Sequence, residues 1–245
     1  MVSPRSGDDL MPQYAVTVLV MAKAPVPGRV KTRLCPPLTA TAAARLAAAA
    51  LLDTVDSVDL FEAASAGSVR KVIALDGPLV DAVDGTLIAG RITSAGAGRW
   101  TRIPQRGTGF ADRLILAHRD AAGRRPVVQI GMDTPQLTGG LMAEAAAALF
   151  RGRVDAVVGP ASDGGWWSLG VRNAQMARAL FDVPMSTSDT GELTIRALRA
   201  DGLRVALLPT LTDVDTFADA IEVTDAAPGT RFAHAFRAIS TGTAA

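Results

Sequence analysis

The sequence predicts an α/β protein: a single domain over residues 14–237 with a mainly parallel, twisted sheet flanked by helices. Three observations carry this. Short apolar runs alternate with longer helix-like segments, the order expected of strand–helix–strand units. The runs Ala15–Ala22 and Pro126–Met132 are apolar nearly throughout instead of alternating, which suits strands covered on both faces. The chain also has 245 residues, 49% of them hydrophobic and only 4% aromatic, enough to bury one full core.

Taken in order, residues 1–13 are polar and unpatterned and read as a mobile tail. Ala15–Ala22 is the first strand, followed by a loop containing Pro25, Pro27 and Gly28. Thr39 or Thr41 can cap an Ala- and Leu-rich helix that runs to about Val58. Val69–Leu75 is a second strand and Thr86–Ala89 a third, set in the Gly-rich stretch Gly85–Gly98. Helices follow at Phe110–Ala122 and Leu141–Phe150, with strands at Pro126–Met132, Val154–Val158 and Trp166–Val171. Ala174–Phe181 and Ser188–Ala200 read as helices, Leu203–Leu208 as a strand, and a short helix starts after Thr216. Ala238–Ala245 reads as a frayed tail. No internal repeat or domain linker stands out.

Composition excludes several functions. No segment approaches the roughly 18 uncharged apolar residues of a membrane span, and Arg5 against Asp8 and Asp9 is not the positive start of a signal peptide. A cytoplasmic protein is expected. Cys35 is the sole cysteine, so an intrachain disulfide and a zinc–thiolate site are excluded. A net charge of +1 argues against nucleic acid as a partner. The P-loop pattern fails because Val30 stands where its second glycine would precede Lys31 and Thr32. No G-x-G-x-x-G follows the first strand and no G-x-S-x-G occurs. His118 and His234 lie in helix-like contexts at the surface or core edge, without an evident partner.

The charges are unevenly distributed. Leu10–Leu52 holds five cations (Lys23, Arg29, Lys31, Arg33, Arg45) and no acid, whereas Val205–Thr230 holds five acids and no cation. In an open α/β sheet the crevice past the strands' carboxyl ends holds the ligand, and Lys23, Arg29, Lys31 and Arg33 fall there. Pro25 and Pro27 stiffen that loop, so its cations are presented at less entropic cost. The alternative is a solvated charged face. Asp133 ends the strand PVVQIGMD in a turn set by Pro135; it is placed either to bind Mg²⁺ or Mn²⁺ or to form an Asx turn. Asp163 in GPASDGGWW either faces a ligand beside Trp166 and Trp167 or sits in a hairpin turn. Asp213 and Asp215 in LTDVDTF can add a ligand or hold a basic residue.

Together, KAPVPGRVKTRL, GMDTPQL, VVGPASDGGWWSLGV and LTDVDTF resemble the successive signatures of the DUF2064 family, over residues 15–222. That group is bacterial and has a GT-A-like nucleotide-diphospho-sugar transferase fold. More distantly, the chain is similar to nucleotidyltransferases that make molybdopterin and deazaflavin cofactors. The resemblance implies a nucleotide over the first half of the sheet, an acceptor over the second, and a divalent metal, Mg²⁺ or Mn²⁺, between them. It implies that Lys23, Pro27, Gly28, Arg29, Lys31, Thr32 and Arg33 hold the phosphates, that Asp133 and Asp215 bind the metal with Asp213 nearby, and that Gly164, Gly165 and Trp166 face the acceptor. Lys31, Arg33 and Asp163 would be the catalytic residues. Where relatives have Q-x-G-x-D-L-G-x-R, this chain reads QRGTGFADR, so Gly109, Phe110 and Ala111 replace Asp, Leu and Gly.

The activity implied is metal-dependent transfer from a nucleotide-activated donor, glycosyltransferase-like. Nucleotidyl transfer with release of pyrophosphate, and nucleotide or phosphometabolite binding without catalysis, are the alternatives. The acceptor, small-molecule or lipid-linked, is left open, as is a homodimer. Fold alone does not give function.

Overall fold

The computed structural model describes residues 14–65, 68–93 and 99–242. The strands are β1 (Thr17–Lys23), β2 (Arg70–Asp76), β3 (Trp100–Pro104), β4 (Val127–Ile130), β5 (Ala156–Pro160), β6 (Trp166–Val171) and β7 (Val205–Leu207). They form one seven-stranded sheet in the order β3-β2-β1-β4-β6-β5-β7. Pairing is parallel between β1 and β2, β1 and β4, β2 and β3, and β5 and β7, while β6 runs antiparallel to both β4 and β5. The turn Ala161–Gly165 folds β6 back on β5, so β6 starts at the rim where the other six strands end. Every loop that follows a parallel strand therefore emerges on one side of the sheet, together with the beginning of β6.

The helices are α1 (Ala40–Ala64), α2 (Gly85–Thr93), α3 (Phe110–Ala122), α4 (Gly139–Phe150), α5 (Thr190–Ala200), α6 (Phe217–Ala226) and α7 (Arg231–Gly242). Short 3-10 helices cover Thr32–Leu34 and Ala174–Leu180. Alternate residues of β1 serve opposite faces: Val18, Val20 and Ala22 pack with α1 and α4, and Leu19 and Met21 pack with α3. This double burial explains why β1 and β4 read as continuous apolar runs. A third cluster joins α1, α6 and α7 and takes in Leu34 from the end of the basic loop. Thr39, one of the two expected caps, starts α1 by accepting a hydrogen bond from the Ala42 amide (3.1 Å).

Four expectations are corrected. Thr86–Ala89 is not a strand but the middle of α2, and the third strand is β3. Four apolar residues do not distinguish strand from helix; Ile88 and Ile92, one helical turn apart, are both fully buried, and that packing decides the matter. Of the tail expected over Ala238–Ala245, residues 238–242 are helical as the end of α7, and residues 243–245 lie outside the described residues. The segment Ala174–Phe181 is a 3-10 helix over Ala174–Leu180. His118 is fully buried within α3, beyond the core-edge position expected. The tail expected over residues 1–13 lies outside the described residues. Among the described residues, no helix is long and apolar enough to cross a membrane.

Candidate functional site

The basic loop leaves β1 through a tight turn. The Arg29 amide donates to the Val26 carbonyl (3.0 Å), with Pro27 and Gly28 between them and Gly28 at φ 75°. Proline followed by a positive-φ glycine is the sequence of a type II turn. Val30 and Leu34 are buried and pin the loop to the core. Between them Lys31 takes a left-handed conformation, φ 48° and ψ 40°, unusual for a residue with a Cβ. Such backbone persists only where the surroundings hold it. Here they do: the Lys31 ammonium donates to Asp133 Oδ2 at 2.8 Å and to Asp215 Oδ1 at 2.9 Å. Arg33 Nη1 reaches Asp215 Oδ2 at 3.1 Å. The early cations and the later aspartates, more than 100 residues apart, thus meet on one rim.

Each carboxylate is positioned by its own local structure. A Cβ on Gly131 would lie 2.6 Å from Asp133 Oδ1, so glycine there leaves room for the carboxylate. The Val214 amide donates to the Asp133 carbonyl (2.9 Å), tying the LTDVDTF loop to the end of β4. Thr216 caps α6 and forms a reciprocal capping box with Asp219, whose side chain also accepts from the Asp215 amide (3.0 Å). Gln136 holds the Thr212 carbonyl from the other side.

Two cavities meet at this point. The first, of about 430 Å³, is lined by Lys23, Arg29, Lys31, Thr32 and Arg33 from the loop. Asp76, Gln105 and Arg113 close its far side. Gln105 Nε2 spans two strand ends, donating to the carbonyls of Ala22 (2.8 Å) and Ala74 (2.9 Å). The second cavity, of about 500 Å³, is lined by Gln129, Asp163, Gly165, Trp166, Asp213 and the Met185–Ser188 loop. Arg33, Phe110, Gly131, Asp133 and Asp215 line both and form the seam between them. A larger groove of about 810 Å³ between α3 and α5 contains none of the candidate residues.

Burial alone would push the Lys31 ammonium down, but the carboxylates of Asp133 and Asp215 outweigh it and hold the group above the ordinary lysine value. Burial would raise Asp215, yet Lys31 and Arg33 bring it below the usual carboxylate range. Asp213 has no such partner. Desolvation first, then the charges of Asp133, Asp163 and Asp215, push it up to about 7. Its Oδ1 is buried with no hydrogen-bond partner among the described residues. Carboxylate oxygens of Asp133, Asp213 and Asp215 lie within 4.8 Å of one another. A cluster of three acids, one with an orphaned buried oxygen, suits a hard divalent cation, so these residues fit a Mg²⁺ or Mn²⁺ ion.

Of the residues expected to hold phosphates, Lys23, Arg29, Lys31, Thr32 and Arg33 line the first cavity, while Pro27 and Gly28 form the turn behind it. Asp163 sits in the β5–β6 hairpin turn and accepts from the Gly165 amide (2.7 Å), so the hairpin-turn reading and the cavity-facing reading both describe it. Gly165 and Trp166 line the second cavity. Gly164 does not: at φ 89° it packs against Ser188, whose carbonyl a Cβ would meet at 1.8 Å. Sequence reasoning missed Asp76, Gln129 and the Ser186–Ser188 loop. Gln129 carried a usable signal, since a lone amide within the apolar run PVVQIGM is out of place in a buried strand.

A search of curated proteins finds no match. Among solved structures, the chain is similar to a "putative nucleotide-diphospho-sugar transferase" from Desulfovibrio desulfuricans G20, with 24% identity over 94% of this chain and 95% of that one and a TM-score of 0.73. It is also similar to a 4-diphosphocytidyl-2C-methyl-D-erythritol synthase from Anaerococcus prevotii DSM 20548, with 10% identity, 85% and 97% coverage and a TM-score of 0.53. CMP:2-keto-3-deoxy-manno-octonic acid synthetase complexed with CTP aligns at 11% identity, 86% and 97% coverage and a TM-score of 0.50. At these identities the likeness is one of fold. Residues 57–187 match the model of a family described as "Uncharacterized protein conserved in bacteria (DUF2064)", a span that contains Asp133 and Asp163 but neither the basic loop nor Asp215. The chain belongs to the DUF2064 family.

Proposed function

We propose that this protein is a metal-dependent transferase that uses a nucleotide-activated donor, with a nucleotide sugar as the donor. The observation that carries this is the convergence of Lys31 and Arg33 with Asp133 and Asp215 at the seam of two cavities. The first cavity supplies fixed cations for a diphosphate, and the second, carboxylate-lined, receives the acceptor. Asp133, Asp213 and Asp215 would hold the divalent ion. When bound, that ion offsets negative charge on the departing phosphate oxygens. Lys31 and Arg33 act on the same charge, and cations fixed in advance cost no reorganisation when it develops. Asp163, beside the second cavity, is the candidate base for an acceptor hydroxyl.

Nucleotidyl transfer is the second reading, favoured by Asp133 being followed by Thr134 and Pro135 in place of the D-x-D of many glycosyltransferases. Incubation with Mn²⁺ and a panel of nucleotide sugars and nucleoside triphosphates separates the two. Release of a nucleoside diphosphate supports sugar transfer, and pyrophosphate supports nucleotidyl transfer. Nucleotide binding with no released species contradicts both and leaves a binding protein.

A further inference from the structure

We propose that the second cavity takes a neutral or cationic polyhydroxylated acceptor, and that the Gln129 carboxamide binds one of its hydroxyl or amino groups. The assignment of this cavity to the acceptor rests on the transferase reading above.

Gln129 is 3% exposed and sits on β4 between Val128 and Ile130. Its register partners are Leu19 on β1 and Leu169 on β6, so neither neighbouring strand offers it a polar side chain. Its Oε1 is buried with no hydrogen-bond partner among the described residues, and the residue lines the second cavity. Buried amides are nearly always paired. With leucines on both flanking strands and the residue lining the second cavity, a donor placed in that cavity, such as a hydroxyl or an amine, would satisfy this oxygen.

Charge sets the class of ligand. Asp163 and Asp213 line this cavity, and Asp133 and Asp215 form its seam. Among the described residues its one lining cation is Arg33, which is already paired with Asp215. Asp163 is not one of the three acids that would hold the divalent ion, so a phosphate or carboxylate beside it would still face a carboxylate, whereas hydroxyl and ammonium donors would be welcome. Trp166 adds an apolar wall whose indole Nε1 is held by Thr194 Oγ1 (3.2 Å). A flat apolar wall with convergent acceptors on the remaining sides suits the C–H face and hydroxyl edge of a sugar-sized polyol.

The test is calorimetric titration of the full chain, with and without Mn²⁺ and a nucleoside diphosphate. The probes are glucose, glucosamine and glycerol, against glucose 6-phosphate, glucuronate and glycerol 3-phosphate. At least one neutral or amino probe is expected to bind at least tenfold more tightly than its anionic counterpart. Gln129→Leu should weaken that probe at least tenfold while nucleoside diphosphate affinity stays within twofold. The same variant should melt no lower than wild type, and up to about 2 °C higher, because leucine removes an unpaired buried amide. A lower melting temperature with unchanged probe affinity would give Gln129 a purely structural role and overturn the proposal. So would tighter binding of the anionic probes, or no binding by any probe. Failure of wild type to bind any nucleotide counts against the transferase reading instead, since the probes are also titrated alone.

Discussion

The two cavities share a wall but have opposite chemistry. The first is furnished by the loop after β1 and holds Lys23, Arg29, Lys31 and Arg33; the second draws on the turns after β5 and β7 and holds Asp163 and Asp213. The uneven charge along the chain, cations before Leu52 and acids after Val205, is thereby folded onto two sides of one seam. Where the two signs touch, they pair: Lys31 with Asp133 and Asp215, and Arg33 with Asp215. Where they do not, an acid is left unpaired: burial, then the charges of Asp133, Asp163 and Asp215, push Asp213 up to about 7. Parallel strands that end at one rim can therefore gather cations on one side of a seam and carboxylates on the other by which loops carry which sign.

The comparison breaks most severely at the seam. Lys31→Ala or Asp133→Ala should lower turnover by about 10²-fold or more, in line with losing one preorganised charge, with the circular dichroism spectrum unchanged. Full activity in either variant would remove the seam from the chemistry. A smaller loss, about tenfold in kcat, is expected for Gly131→Ala, whose new Cβ would lie 2.6 Å from Asp133 Oδ1 and displace that carboxylate. Steady-state kinetics beside a melting curve distinguish this from misfolding.

Asp213→Asn sharpens the contrast between paired and unpaired acids. The folded-state pKa of Asp213, about 7, stands above the ordinary carboxylate value, so between pH 4 and pH 7 the folded protein binds more protons than the unfolded chain. Wild-type stability attributable to this group therefore falls as pH rises through that window. Removing the charge should stabilise the metal-free protein by about 1 kcal/mol at pH 8, after discounting for solvent screening, and leave it unchanged near pH 4. Urea unfolding at the two pH values measures this, and Mn²⁺ titration of the variant should show weaker binding by about tenfold. The smallest effect is Trp166→Phe, which deletes the hydrogen bond to Thr194 and should cost about 1 kcal/mol in the same assay.

What the sequence made legible was what local chemistry decides. The Val-rich β1, the Pro27-Gly28 turn, the Asp133 turn before Pro135 and the boundaries of β6 follow from patterning and turn residues. What it hid was decided by distant partners. The N-terminus of α7 has a local cap, Thr230 Oγ1 accepting from the Ala233 amide (3.1 Å), but its first two amides, Arg231 (2.9 Å) and Phe232 (2.9 Å), donate to Asp53 on α1, a partner no local pattern shows. Gly85 looked like a breaker, yet it opens α2 because the Leu79 carbonyl lies where a Cβ would be, 1.9 Å away. In the site, the basic loop and the three aspartates could be read individually. Their meeting depended on the antiparallel insertion of β6, which moves β5 and β7 outward and brings the turns after β4 and β5 to one rim. Gln129 stood out as a lone amide in an apolar run, but that its oxygen lacks a partner among the described residues is a property of the folded neighbourhood.

The most direct test of the central claim, that phosphates and a divalent ion are held together at the seam, is calorimetric titration of Mn²⁺ with and without a nucleoside diphosphate. Each ligand should tighten the other by the same factor, as linkage requires, and Lys31→Ala should abolish most of the nucleotide affinity. Nucleotide binding that ignores both Mn²⁺ and Lys31 would contradict the account.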